Sequence, residues 1–177
     1  MLRSSSFVLL ALLFLQVAFA LSIEPGTYYI ESNDGRLLSV GPVPRTYPPV
    51  DVPVRLFERG SPFDTKWEVK SAADGGLLIS TRTDIPQFHY SIVNRHDAIY
   101  VSATQKAPQI WSVSSVGGGQ FDIKLPYEDK VFTSEEDSFP QVTLQAAEGL
   151  PNQKWNFIRV DRDNNYYRGS TNRFCRQ

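Results

Sequence analysis

The chain has 177 residues, which is a common length for a single domain. Its 18 Lys and Arg residues nearly balance its 19 Asp and Glu residues, and the formal net charge of −1 at pH 7 gives no electrostatic argument for a nucleic-acid partner or an anionic membrane. The sequence contains a single cysteine, so no internal disulfide can form and stability must come from a hydrophobic core.

The N-terminal segment, residues 1–20, has the features of a secretory signal peptide. Arg3 provides a short basic start, an apolar run follows from Phe7 to Leu15, and Ala18-Phe19-Ala20 is a small-residue cleavage site. The run is shorter than the about 20 apolar residues that a membrane-spanning helix needs. We therefore expect cleavage after Ala20 and a secreted, extracellular protein that has no membrane segment once the signal is removed.

Three tryptophans indicate an internal repeat within residues 21–160. Trp67, Trp111 and Trp155 follow one another at intervals of 44 residues, in the similar frames TKWEV, QIWSV and QKWNF. An apolar residue two positions after each tryptophan matches the period of a half-buried strand. The same interval recurs upstream, at the positions Val54, Ala98 and Val142 and at the positions Leu56, Tyr100 and Leu144. These columns predict three repeats that hold their tryptophans in the core.

Each repeat contains about four short strand patterns, which in the first repeat are TYYIES, LLSVG, VRLFE and KWEVK. Gly, Pro, Asn and Asp residues cluster between them, as in turns. Three units of four strands can close into a barrel with a cap of hairpins, an arrangement that leaves no exposed sheet edge. The predicted fold is therefore all-β, a β-trefoil. An all-β sandwich with accidental spacing is the alternative.

A proline-rich segment, GPVPRTYPPVDVP at residues 41–53, interrupts the first repeat. Between the column of Ile30 and that of Val54, the first repeat is five residues longer than its two counterparts. Prolines fix φ and remove backbone donors, so the segment is neither helix nor central strand but an ordered, extended loop. Because function usually resides on loops carried by a regular scaffold, this loop is the predicted site.

Arg45 lies in the middle of this loop. A substrate-like protease inhibitor presents an extended segment that loses little entropy on docking, and a trypsin-like protease accepts an Arg or Lys side chain in a pocket with an acidic base. In such a complex Arg45 would fill the pocket, Pro44 would precede it, Thr46 would follow the scissile bond, and Tyr47 would flank it. The prolines that would stiffen the loop are Pro42, Pro48 and Pro49. A solvated arginine in a plain surface loop is the alternative.

The PGTYYI opening, the tryptophan-bearing strands and the loop before VPVRLFE resemble the fungal β-trefoil serine protease inhibitors of the cospin and cnispin type, over about residues 22–160. The resemblance implies that Arg45 is the specificity residue and Thr46 its follower. In the cospin type an acidic residue precedes the arginine, where this chain has Pro44. The cnispin type presents a lysine from a late loop, and the equivalent AAEGLPNQ, residues 146–153, has no basic residue.

Two other binding functions remain open at this point. The QIW and QKW frames resemble the Q-x-W motif of ricin-type lectins, although Ser39 stands where a sugar-binding aspartate would be expected and the disulfides common in those lectins are absent. In related fungal inhibitors of cysteine proteases, asparagine-bearing loops can block asparaginyl endopeptidases. Asn94, in the predicted turn IVNRHD, could do the same, or could simply be a turn residue.

The sequence does not favour an enzyme. Its two histidines, His89 and His96, have neither H-E-x-x-H nor Cys/His spacing, and no G-x-S-x-G elbow occurs, so we expect no catalytic residue, metal or cofactor. Residues 161–177 have a low apolar content that predicts a flexible tail. Cys175 in that tail could join two chains, but we expect a monomer.

Overall fold

The computed structural model describes residues 22–72, 74–82, 89–104, 107–135 and 140–160. The predicted signal peptide, the predicted flexible tail and Cys175 lie outside these residues. Among the residues described, no helix has the length and apolar character that crossing a membrane requires.

The described chain is all-β, as predicted, and each repeat contributes four strands. They are β1 (Gly26–Ser32), β2 (Leu37–Val40), β3 (Val52–Phe57), β4 (Trp67–Ser71), β5 (Leu77–Arg82), β6 (His89–Arg95), β7 (Ala98–Ser102), β8 (Ser112–Gly117), β9 (Gln120–Lys124), β10 (Lys130–Thr133), β11 (Thr143–Ala146) and β12 (Trp155–Arg159). A 3-10 turn, Pro151–Gln153, precedes β12.

Six of these strands close into a ring. β1 pairs with β12 and β4, β4 pairs with β5, and β8 pairs with β9. Single bridges between Leu77 and Trp111 and between Trp155 and Phe121 complete the circle. The other six strands form three hairpins, β2–β3, β6–β7 and β10–β11. This arrangement is compatible with a β-trefoil, in which closure removes the exposed edges.

The three hairpins meet around a common centre. The Val142 N–H donates to the Val54 carbonyl at 3.0 Å, and the Ile99 N–H donates to the Val142 carbonyl at 2.9 Å. Val54 and Val142 belong to one column of the 44-residue repeat, and Ile99 directly follows its third member, Ala98. The repeat therefore corresponds to a pseudo-threefold cap in the structure.

Each repeat buries its tryptophan completely and uses the indole N–H in the same way. Trp67 donates to the Leu38 carbonyl at 2.7 Å, and Trp111 donates to the Ile92 carbonyl at 3.3 Å. Trp155 donates to Phe132 at 3.0 Å. In all three cases the acceptor belongs to the second strand of the same repeat, so the indole attaches that repeat's hairpin to the barrel.

The acceptor carbonyls show where the extra residues of the first repeat lie. From the residue whose carbonyl accepts the indole N–H to the repeat column of Val54, the chain advances 16 residues in the first repeat (Leu38 to Val54). The corresponding advance is 6 residues in the second repeat and 10 in the third. The preceding connection, from Ile30 to Leu38, is the shortest of its kind. The net surplus of five residues thus understates the extra length of the β2–β3 loop, because the short β1–β2 turn in the same repeat offsets part of that length.

The turn between β9 and β10 carries an exposed tyrosine in an unusual backbone conformation. The Glu128 N–H donates to the Leu125 carbonyl at 3.3 Å, which closes a turn over Pro126 and Tyr127. Tyr127 has a φ of 67° and a fully exposed side chain. A turn with proline at its second position and positive φ at its third normally takes glycine there, because an L side chain is strained in that conformation.

We predict that Tyr127→Gly stabilises the protein by about 0.5–1 kcal/mol. Relief of the left-handed penalty of about 1–2 kcal/mol outweighs the added entropy of glycine in the unfolded chain. Urea denaturation followed by tryptophan fluorescence measures the change. Tyr127→Ala is the matched control and should leave stability within about 0.5 kcal/mol, because alanine keeps the strained Cβ. A loss of stability with glycine would contradict this account of the turn.

Candidate functional site

The β2–β3 loop, residues 41–51, is the tip of the first hairpin, and its apex is open to solvent. Five consecutive side chains are exposed there: Pro44, Arg45, Thr46, Tyr47 and Pro48. The Tyr47 side chain is 91% exposed. Within the described part of the chain, the Arg45 guanidinium has no hydrogen-bond or ion-pair partner. The apex therefore presents a long, unpaired cation to solvent.

The backbone at the apex is tightly turned. The Thr46 N–H donates to the Pro44 carbonyl at 3.0 Å, a three-residue turn with Arg45 at its centre. Arg45 is consequently the residue at which the chain changes direction. The neighbouring prolines lack N–H groups and have fixed φ angles, so this short turn is set in a stiff local chain.

The first end of the loop is held by the β3–β4 connection. The Val40 N–H donates to the Thr65 hydroxyl at 3.0 Å, and that hydroxyl donates to the Phe63 carbonyl, also at 3.0 Å. Three residues further along, Val43 packs against the main hydrophobic core. The stretch that leads to the apex therefore rests on the scaffold, whereas the apex itself extends beyond it.

Thr65 lies two residues before a tryptophan, a position that glutamine occupies in the other repeats. Gln109 accepts a hydrogen bond from the Asn94 N–H at 2.7 Å. Gln153 accepts one from the Glu148 N–H at 2.9 Å and donates one to the Ala146 carbonyl at 2.7 Å. All three side chains thus bind backbone groups of their own repeat. The glutamines of the Q-x-W frames fix loops in this structure.

The second end of the loop is held by an ion pair with the neighbouring hairpin. The Asp51 carboxylate lies 2.9 Å from Nε of Arg95, the last residue of β6. Directly after Asp51 the chain is buried at Val52, which pairs with Val101 of β7. Sequence reasoning missed this pair. One signal could have found it, because Asp51 and Arg95 are 44 residues apart and so occupy one column of the repeat.

The hairpin that carries Arg95 is itself well fixed. His96 and Asp97 form its two-residue turn, both with positive φ, as the tight hairpin turns that suit strand twist require. The Asp97 carboxylate accepts a hydrogen bond from Lys130 Nζ at 2.6 Å. This hydrogen bond raises the pKa of the Lys130 ammonium group above its usual value, although desolvation opposes the shift.

The other predicted candidates, Asn94 and Ser39, lie in strands β6 and β2. Asn94 was expected in a turn, but this prediction is wrong, because Asn94 lies within β6 and pairs with Ile99. Its side-chain oxygen is buried and lacks a hydrogen-bond partner within the described chain. Ser39, at the lectin aspartate position, is completely buried. The Asn94 side-chain oxygen and the Ser39 hydroxyl are therefore both withdrawn from solvent.

Among the described residues, no group of three or more His, Cys, Asp or Glu side chains is arranged to hold an ion. The two histidines are both exposed, and His89 begins β6 whereas His96 lies in the turn that follows it.

The sequence matches no protein-family model and no curated protein. Solved structures with the same fold include a proteinase inhibitor from Coprinopsis cinerea, at 14% identity and a TM-score of 0.64, covering 78% of this chain and 100% of the inhibitor. The Macrolepiota procera ricin B-like lectin in complex with lactose is 14% identical, with a TM-score of 0.58, over 79% of this chain and 100% of the lectin.

A designed threefold-symmetric protein, ThreeFoil, is 16% identical at a TM-score of 0.62, over 76% of this chain and 99% of the design. At these identities the similarities show the fold alone. They agree with the pseudo-threefold arrangement of barrel and hairpins and include both an inhibitor and a sugar-binding protein, so the fold does not choose between these two functions.

We predict that Thr65→Val destabilises the protein by about 1–3 kcal/mol, because valine has the same shape but leaves the buried Val40 N–H without an acceptor. Thr65→Ser, which keeps the hydroxyl, is the matched control and should lose clearly less. Urea denaturation of both variants gives the comparison. Equal stability of the valine variant and the parent would show that this bond does not hold the loop.

Proposed function

We propose that the protein is a secreted inhibitor of trypsin-like serine proteases and acts through a substrate-like loop centred on Arg45. The observation that carries the proposal is the exposed, unpaired Arg45 at the apex of a proline-stiffened loop whose two ends are tied to the scaffold. The proposed activity is binding without catalysis by this chain, and it requires neither a metal nor a cofactor.

The loop meets the physical requirements of such an inhibitor. Binding a flexible segment would cost conformational entropy, and the prolines on both sides of Arg45 reduce that cost before the protease is met. In the proposed complex the Arg45 guanidinium enters the acidic specificity pocket, and Pro44, Thr46 and Tyr47 line the cleft on either side. Arginine is among the residues most often found as buried interface anchors. An interface of about 1,600 Å² in total is expected for a complex of this kind.

The anchored ends also explain how the inhibitor could survive attack. If the protease acylates at Arg45, the chain on the Arg45 side remains held through Val43 and Val40, and the chain on the Thr46 side remains held through Asp51. The Thr46 amine then stays close to the acyl carbon. A high effective concentration of the amine favours re-formation of the peptide bond over release of a product.

We predict that the purified protein inhibits trypsin and that Arg45→Ala weakens inhibition by about 30- to 1,000-fold, the loss expected for removal of a buried anchor. Arg45→Lys should retain most of the inhibition, because the pocket accepts either cation, and Arg45→Glu should abolish it. Titration of trypsin against each variant gives the inhibition constants.

Arg59→Ala is the matched control. Arg59 is half-exposed but lies on the β3–β4 connection, where it pairs with Glu31 at 2.7 Å. Its removal should leave inhibition unchanged. Equal inhibition by the parent and Arg45→Ala would place the site on another loop, and no inhibition by the parent would remove trypsin-like proteases as the target class.

Carbohydrate binding is the second candidate, because the structural neighbours include a ricin B-like lectin that was solved with lactose. The buried Ser39 and the backbone-bound Gln109 and Gln153 weigh against a site of that type here. A glycan array distinguishes the two readings, since clear sugar binding without protease inhibition would favour the lectin. Inhibition of asparaginyl endopeptidases through Asn94 is disfavoured by the position of Asn94 within β6.

A further inference from the structure

We infer that the Asp51–Arg95 ion pair is a positioning device that keeps the Arg45 loop an inhibitor and prevents it from behaving as a substrate. The inference rests on the proposed function and assigns a role to two residues outside the loop apex. Asp51 closes the loop on its C-terminal side, six residues after Arg45, and Arg95 belongs to a different hairpin of the cap.

The ion pair has a special place among the contacts of the loop. For residues 41–51, the described structure shows one side-chain hydrogen bond or ion pair to another strand, and it is the one between Asp51 and Arg95 at 2.9 Å. Contacts on the first side of the apex are backbone and apolar, through Val40 and Val43. The segment from Thr46 to Val50 therefore depends on Asp51 and on the buried Val52 for its position.

Arg95 is a firm attachment point because the hairpin around it is short and bonded on both sides. Arg95 pairs with Ala98 across the two-residue turn, and the Asp97 carbonyl accepts the Leu144 N–H at 2.7 Å. The Lys130–Asp97 ion pair holds the same turn from the side of β10. The Asp51–Arg95 ion pair, which we call the tether, thus joins the loop of the first repeat to a hairpin turn that contacts within the second and third repeats hold in place.

The expected size of the effect follows from the exposure of the pair. The Arg95 and Asp51 side chains are 40% and 27% exposed, so water and salt screen their attraction. Pairs of this kind contribute modestly, which corresponds to a change of about fivefold or less in a rate or an equilibrium. A change of this size can nevertheless speed net cleavage. After the protease attacks, the new ends at Arg45 and Thr46 must stay together for their peptide bond to re-form.

The chemical step concerned is hydrolysis of the Arg45–Thr46 peptide by the protease. The C–N bond breaks, the hydroxyl of a water molecule is added to the Arg45 carbonyl carbon, and the Thr46 nitrogen leaves with a proton as an amine. In the tethered loop the amine remains beside the acyl carbon, so the reverse reaction competes. In the untethered loop the segment from Thr46 to Val50 can move away, and hydrolysis then goes to completion.

The test compares cleavage of four variants with the parent: Asp51→Asn, Arg95→Gln, the charge swap Asp51→Arg with Arg95→Asp, and Glu24→Gln. The last is the matched control, because Glu24 forms an ion pair of 3.0 Å with Arg159 at the barrel. Each protein is incubated with a catalytic amount of trypsin, and mass spectrometry measures the rate of cutting between Arg45 and Thr46. Thermal unfolding of each variant is measured alongside.

Both single variants should be cut about fivefold faster than the parent with little change in unfolding temperature, whereas the swap and the control should be cut at rates close to that of the parent. Added NaCl should raise the rate of cutting of the parent relative to that of Asp51→Asn, because salt screens the Asp51–Arg95 attraction only where that pair is present. The inference is overturned if the single variants are cut at the parent rate, or if the swap behaves like the single variants.

These outcomes are separable from failure of the proposed function. A parent protein that does not inhibit trypsin would contradict the proposed function, but its rate of cutting at Arg45 would still report on the tether. Conversely, tight inhibition by the parent together with unchanged cutting of Asp51→Asn would leave the function standing and remove the role of the ion pair.

Discussion

The hydrogen bond from each buried indole to the second strand of its own repeat is the constraint on which the rest of the structure depends. It joins the two layers of the fold, because the tryptophan begins a barrel strand or directly precedes one and the acceptor lies on a cap hairpin. The large ring fills the core, and the hydrogen bond satisfies the indole N–H, which would otherwise be a buried donor without a partner. Because the base of the hairpin is attached in this way, the loop between the second and third strands of a repeat can change length without disturbing the barrel.

The three repeats show how far that freedom extends. The second repeat crosses the tip of its hairpin with the two residues His96 and Asp97, whereas the first uses the eleven residues from 41 to 51. The cost of closing a longer loop grows slowly with its length, so a scaffold of this kind can carry an extended loop at small cost. The prolines then remove much of the remaining freedom. A rigid scaffold and a stiff loop are together what a substrate-like inhibitor needs.

Much of this was readable from the sequence because it follows from periodicity. The 44-residue interval gives the repeat, the alternating apolar residues give the strands, and the prolines mark the loop around Arg45. The sequence did not show that the five extra residues of the first repeat combine a longer β2–β3 loop with a shorter β1–β2 turn. Only the carbonyls that accept the indole N–H groups reveal this division. Asn94 was misplaced by two residues, since the hairpin turns at His96 and Asp97, which are less typical of such turns than Asn-Gly. The Asp51–Arg95 contact joins residues from two repeats, so local patterns within one repeat do not show it, and the 44-residue interval between the two positions is the one sequence signal that points to it.

The most direct measurement is a crystal structure of this protein bound to a trypsin whose active-site serine has been replaced by alanine. The account predicts that the Arg45 guanidinium lies about 3 Å from the carboxylate at the base of the specificity pocket, with Asp51 and Arg95 still paired behind the loop. A complex in which another loop occupies the cleft while Arg45 stays in solvent would contradict the central claim.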